Sequence, residues 1–241
     1  MSRQANLQNH SLHFENATKV QDRCNRCGIC CSKGGPAFHL TDKKLIEKGS
    51  IKTADIYTIR KGEPIYDNVK DTIIFAESDI IKIKGVGSSW ACVFLDLEDN
   101  SCRIYERRPL ECRSLKCWDT REIEKVYAVD RLVRKDLISG IDGLWEFIED
   151  HQQECSYQKI RLLLEAGKGN LENDAKEIVL EMIKYDLAVR PMIIEQGQLD
   201  PNLIDFLLGR PLIETISLFG LDVVKEGNSY LFKTRQKTPH P

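Results

Sequence analysis

Four thiols fall within eight residues of this chain, in the stretch Cys24-Asn25-Arg26-Cys27-Gly28-Ile29-Cys30-Cys31. Small hydrophobes would fill the same space without the oxidation hazard, so a run this dense points to soft-metal ligation. The first three thiols are spaced C-x2-C-x2-C, as bacterial ferredoxin runs begin. Those runs continue C-x3-C-P, whereas this one goes straight on to Cys31. A C-x2-C pair alone is equally half of a zinc site. Gly28, between two of the thiols, tolerates the positive φ that helps a chain wrap a metal.

A second set follows: Cys92, Cys102, Cys112 and Cys117. With Cys155 the chain has nine cysteines, eight of them before Trp118. The first twenty residues hold no apolar core of a secretory signal, so a cytoplasmic location is the expectation. Clustered thiols there are metal ligands or catalytic groups rather than a disulfide framework. Four plus four thiols would make two four-ligand sites. A single site using the run and one or two distal thiols is equally open. His151 and Cys155 stand four apart and would share a helical face as a further ligand pair. Their bland alternative is a surface histidine and a buried thiol. His39 is either a support for the site or simply a buried side chain.

Arg103, Arg107, Arg108 and Arg113 surround Cys102 and Cys112. Metal-bound thiolates carry negative charge, which arginines offset by donating to sulfur. The same arginines would suit an anionic substrate. Arg103 and Arg113 are the candidates for contact with a cofactor, Arg113 in a buried role. Arg107 and Arg108 read equally as a solvated basic face.

The rest of the chain reads as α+β. A small cysteine-rich metal-binding part with short strands and helices is followed by a mainly helical C-terminal part. Residues 1–20 form a polar arm, 21–118 the metal-binding domain, and 119–241 a helical region packed on it. Short helices are expected over Thr41–Gly49 and Ile51–Arg60. The β-branched runs 72–75, 80–84 and 90–95 read as strands. A hairpin of 92–95 with 102–105 would bring Cys92 opposite Cys102. Pro109 starts a helix through Trp118. Helical spacing covers Thr120–Ile141, then Gly143–His151 capped by Asp142, Tyr157–Ala166, and a helix capped by Asn170. Asp200-Pro201 and Pro211 start two more, and residues 223–232 close the chain as a hairpin turning at 226–228.

The net charge of −2 gives no general attraction to nucleic acid. No apolar run approaches the roughly 18 residues that cross a bilayer. Dinucleotide, phosphate-loop, zinc-protease and serine-hydrolase motifs are absent, as is the C-x3-C-x2-C spacing of radical S-adenosylmethionine enzymes.

Cys24-x2-Cys27-x2-Cys30-Cys31, Cys92-Val93-Phe94-Leu95-Asp96 and Cys102-Arg103-Ile104-Tyr105-Glu106-Arg107-Arg108-Pro109-Leu110-Glu111-Cys112-Arg113 occur in this order. Together they resemble the YkgJ-type cysteine-cluster family, described as zinc- or iron-chelating. The resemblance spans residues 24–117 and implies metal binding through these cysteines. The family includes a flagellin lysine N-methylase, so protein modification is one implied activity. Three functions follow as expectations. The first is an iron–sulfur protein, of the 4Fe-4S type, with a redox or enzymatic role. The second is a structural zinc module that binds a protein. The third is a modifier of protein lysines. The expected partner is a protein, as partner or substrate.

Overall fold

The computed structural model describes residues 21–87, 90–227 and 229–233. The polar arm expected over residues 1–20 lies outside them, as do Ser88 and Asn228 of two expected turns. The fold is mixed α+β, with a mainly helical C-terminal part.

Strands β1 (Ile56–Ile59) and β4 (Ile80–Ile83) pair antiparallel, Tyr57 opposite Lys82. The segment that follows the cysteine run lies along the other edge of β4, with Ala37 bridged to Lys82. Phe38 donates to the Ile81 carbonyl at 2.9 Å. That segment pairs again, His39 with Arg131, and Leu132 donates to the Phe38 carbonyl at 3.0 Å. The result is a layer four chains wide, ordered 56–59, 80–83, 36–39, 130–132. Side chains alternate across it. Ile56, Ile81, Ile83, Phe38 and Leu132 point into the main core, each at 1% exposure or less. Burial of each contributes about 2 kcal/mol. The other face carries Tyr57, Ile59, Ile80 and Ala37, part of a small apolar cluster, together with Lys82, His39 and Arg131. A second hairpin, β2 (Pro64–Asp67) with β3 (Thr72–Phe75), stands beside this layer.

Three expectations are corrected here. Ile51–Arg60 is not a helix but a 3₁₀ turn, Thr53–Asp55, leading into β1. Ile56, Tyr57, Thr58 and Ile59 are all buried, and pairing with β4 overrides the weak helical spacing. Residues 120–141 do not form one helix. After α4 (Arg121–Val126) the chain turns through left-handed Ala128 and Asp130, gives up 130–132 to the layer, and resumes as α5 (Arg134–Ile138). Residues 92–95 and 102–105 are not strands. Only the isolated bridges Gly85 to Cys92 and Leu95 to Cys102 form, so Cys102 lies opposite Leu95.

The short helices α1 (Ile29–Ser32), α2 (Lys43–Glu47) and α3 (Leu110–Ser114) precede these. The helical half continues with α6 (Leu144–Glu154), α7 (Tyr157–Ala166), α8 (Asn173–Gly197), α9 (Ile204–Leu207) and α10 (Leu212–Thr215). The N-cap of α6 is Gly143, at φ 73°, rather than Asp142. That of α8 is Glu172 rather than Asn170. The described residues close in the expected hairpin, β5 (Asp222–Glu226) with β6 (Ser229–Lys233). No described helix is long and apolar enough to cross a membrane.

Buried polar ties join the two halves. Thr58 donates to the Phe206 carbonyl at 2.6 Å. Arg134, wholly buried, grips Asp79 through Nε at 2.6 Å and Nη2 at 3.0 Å, and donates through Nη1 to the Leu207 carbonyl at 2.6 Å. This bidentate geometry is what makes a buried guanidinium tolerable. A second core of Tyr157, Ile160, Val179, Ile183, Leu212 and Ile216 lies among α7, α8 and α10.

Candidate metal centre

Gly28, in the left-handed region at φ 75°, turns the run into α1, which carries Cys30 and Cys31. Their sulfurs are 4.0 Å apart. A Cβ at Gly28 would lie 2.9 Å from Oδ1 of Asn100, in the loop between Cys92 and Cys102. The Cys31 carbonyl accepts the Cys92 N–H at 2.8 Å. The first and second thiol sets are thus joined through the backbone. Cys112 rides on α3, and Cys117 follows in the exposed turn closed by Lys116 and Asp119. All nine cysteines are free thiols.

Among the described residues no three of these sulfurs lie within 4.8 Å of one another, but their charges are linked, Cys112 to Cys92, Cys102 and Cys30, and Cys31 to Cys30, Cys112 and Cys92. Burial pushes Cys112 up, and Cys92, Cys102 and Cys30 push it further. Burial likewise raises Cys92, with Cys102 adding to it. The hydrogen bond with Cys30 raises Cys31, followed by burial and by repulsion from Cys30, Cys112 and Cys92. The same bond lowers Cys30 to about 6. Thiols that repel in this way cannot all ionise side by side, unless a cation sits among them and reverses the sign. A soft donor set that is self-repelling when charged fits zinc or iron, whose binding displaces the protons. Cys24 and Cys27 are exposed at the mouth of the run, and the Cys24 sulfur accepts the Arg26 N–H at 3.3 Å.

Helix α3 is pinned on both sides of Cys112. Asp42, fully buried, accepts the Leu110 N–H at 2.9 Å and the His39 N–H at 3.1 Å, and Arg113 stands 3.6 Å from it. Glu111 accepts the Ala37 N–H at 2.7 Å, and its other oxygen is 3.5 Å from His39 Nε2. His39 Nδ1 donates to the Val129 carbonyl at 2.6 Å. Burial opposes the charge of Glu111, but His39, Lys82, the Ala37 N–H and Arg131 together hold it below the ordinary carboxylate range. Burial lowers Lys82, with Glu111 and Cys112 opposing. His39 is thus a buried side chain, one of the two readings open from sequence, and it pairs with Glu111, the neighbour of Cys112.

The arginines divide differently from the expectation. Arg103 donates to the Val93 carbonyl and favours the Cys92 thiolate. Arg113 is half exposed rather than buried, because its helix is a single turn with its outer side in solvent. Arg107 is exposed. Arg108 is not a solvated side chain. Its guanidinium lies 3.5 Å from the centroid of the Tyr105 ring, Nε donates to the Tyr105 carbonyl at 2.6 Å, and its charge favours the Cys30 thiolate. Arg26, from the run, lies over the same ring at 4.3 Å. Tyr105 therefore joins the two thiol sets by cation–π contact.

Cys155 is placed elsewhere, at 0% exposure in the second core, its thiol 3.7 Å from the Met182 carbonyl. Burial pushes that thiol up to about 12. Cys155, His151 and Asp186 each offer a ligand atom within 4.8 Å of the others, all buried. Asp186 already accepts His151 Nε2 at 2.8 Å, Arg190 Nε at 3.0 Å and the Leu212 N–H at 2.8 Å. These bonds close an ion network between α6, α8 and α10, with Arg190 donating onward to the Gly209 carbonyl at 2.9 Å.

Residues 23–129 match the family model CxxCxxCC, described as "Putative zinc- or iron-chelating domain". This segment is a CxxCxxCC domain. The match is to the family that the cysteine spacing resembles, and it supports metal binding through clustered cysteines. The chain is also 34% identical over 90 residues to Uncharacterized protein MJ0661 of Methanocaldococcus jannaschii. That alignment covers 37% of this chain and 41% of the relative. No solved structure matches the chain.

Asp42, Lys82, Glu111 and Arg131 of the CxxCxxCC domain and its edge were not singled out from sequence. Lys82 had a signal, as the charged residue between Ile81 and Ile83 in an apolar run. Glu111 had adjacency to Cys112. Asp42 and Arg131 had none, since each acts through contacts across the fold.

Proposed function

We propose that this protein holds an iron–sulfur cluster, of the 4Fe-4S type, in its CxxCxxCC domain and uses it in a redox or enzymatic reaction. The observation that supports the reading is the 4.0 Å approach of the Cys30 and Cys31 sulfurs together with the backbone bond from Cys92 to Cys31, which bring the run next to the second thiol set. One structural zinc is satisfied by four ligands, and the two sets together exceed that number. A cluster bound there would supply one-electron chemistry or a Lewis-acidic iron. Arg103 and Arg108, beside Cys92 and Cys30, suit the negative charge of cluster thiolates.

A structural zinc module is the second reading. It is favoured by the backbone bond between Cys31 and Cys92, which would let one tetrahedral ion clamp both thiol sets. Iron, sulfide and zinc analysis of anaerobically purified protein separates the two. Iron and sulfide in equal amounts, with absorbance near ~400 nm lost on oxidation, support the cluster. A colourless protein with stoichiometric zinc, unfolded by chelation and without a redox signal, replaces it with the zinc module.

A further inference from the structure

On the face of the four-chain layer opposite the main core, Lys82 beside Ala37 and Arg131 beside His39 flank one stretch of the interior chain, next to the small apolar cluster of Ala37, Tyr57, Ile59 and Ile80. Lys82 and Arg131 are both half-buried on this face. The carboxylate beside them is Glu111, whose oxygens are directed to the Ala37 N–H and to His39. Neither Lys82 nor Arg131 has an ion pair among the described residues, although the fields of both reach Glu111. Arg210, whose charge also reaches Lys82, is bonded to Glu63. Leaving an ammonium and a guanidinium half-buried without a counter-ion is costly, and sites retain such groups when a ligand provides the missing charge. Lys82 is also within electrostatic reach of Cys112. Arg131 lies over the Tyr127 ring, a contact that holds its guanidinium in place.

We infer that Lys82 and Arg131 form an oxyanion-binding subsite beside the metal centre, which takes the carboxylate or phosphate of the molecule on which the centre acts. The subsite rests on the proposed function for what lies next to it, but its charge imbalance is independent of which metal is bound. A planar guanidinium and a point-charge ammonium complement each other around one oxyanion, the first giving a fork and the second a mobile donor. The subsite also gives the centre a substrate class: an anionic small molecule or an acidic or phosphorylated group.

The test uses full-length, metal-loaded protein. Inorganic phosphate and acetate are titrated separately at constant ionic strength and followed by calorimetry. Lys82→Gln, Arg131→Gln and Lys82→Arg are prepared in parallel, and the metal content of every sample is measured. The expected result is saturable binding of at least one anion, weakened roughly tenfold or more by either glutamine variant and less by Lys82→Arg, at unchanged metal content. The stronger of the two anions identifies the group. Absence of saturable binding, or equal binding by all variants, overturns the subsite. Metal loss from the glutamine variants with no anion binding by the parent chain also overturns it, because the two cations would then serve only to balance the thiolates. Failure of the cluster reading appears separately, as missing iron and sulfide in the parent protein.

Discussion

Asp42 accepts the backbone N–H of Leu110 at 2.9 Å, across 68 residues of sequence and with no exposure of its own side chain. The bond fixes the start of α3, and so the height at which Cys112 meets the other thiols. Asp42→Ala is expected to leave the Leu110 and His39 amides unpaired, at a cost of about 1–3 kcal/mol. Urea denaturation reads that loss, and metal analysis should show a lowered content in the protein that remains folded. An unchanged midpoint would show that the bond does not restrain α3.

Gly28 sets the direction of the run. Gly28→Ala places a Cβ against Asn100 at φ 75°, and is expected to cost about 1–3 kcal/mol through backbone strain. Thermal unfolding measures the cost. Adding Asn100→Gly, which removes the crowding Cβ and suits the φ of 55° at that position, should recover the part due to contact and leave the part due to φ at Gly28. Full recovery would place the whole cost in the contact.

The thiols should separate into two groups on substitution. Cys112→Ser is expected to abolish stoichiometric metal, because it removes the thiol whose charge is linked to those of Cys92, Cys102 and Cys30. Cys155→Ala should keep the metal and lose stability by about 1 kcal/mol, the scale of one buried thiol replaced by a smaller side chain. Metal loss from Cys155→Ala would require a ligand role for the second core.

The Asp186 network predicts a pH dependence. Burial opposes the charge of Asp186, but His151, Arg190 and the Leu212 N–H hold it well below the ordinary carboxylate range. Burial lowers His151, aided by Arg60 and Arg190 and opposed by Asp186. In both cases the unfolded chain takes up its proton first as pH falls. The His151 contribution is complete above about pH 6.5 and is lost as pH drops through its lowered folded value. That of Asp186 is complete above about pH 4 and is lost at more acid pH. His39 is raised, through Glu111 and Val129 against burial, so its contribution has the opposite sign. The readout is therefore a difference. The urea midpoint of the parent chain minus that of His151→Gln should shrink as pH falls from 7 to 5, and a difference that grows would refute the assignment.

The elements legible in the sequence were those whose signals are local. The C-x2-C-x2-C-C run, the Asp200-Pro201 and Pro211 helix starts and the terminal hairpin needed nothing beyond neighbours along the chain. Ile56–Ile59 read as helix because its partner strand is more than twenty residues away, and pairing outweighs periodicity. Residues 130–132 were hidden for the same reason: their place in the layer depends on His39. The thiols were recognisable as ligands from spacing, whereas the supports of Cys112 were not. Asp42 and Glu111 look like ordinary charged residues until the fold brings 37–42 against α3.

The segment 36–39 begins five residues after Cys31 and is hydrogen-bonded along both edges, to β4 and to 130–132. It is an interior chain of the layer, so its displacement breaks two ladders at once. The thiol run is therefore tethered to an interior chain of this layer rather than to a dispensable loop. A chain without its metal should open as a whole, with amides across the layer exchanging at a common rate. Proteases act on such open states, so the lifetime of the protein would rise and fall with metal supply.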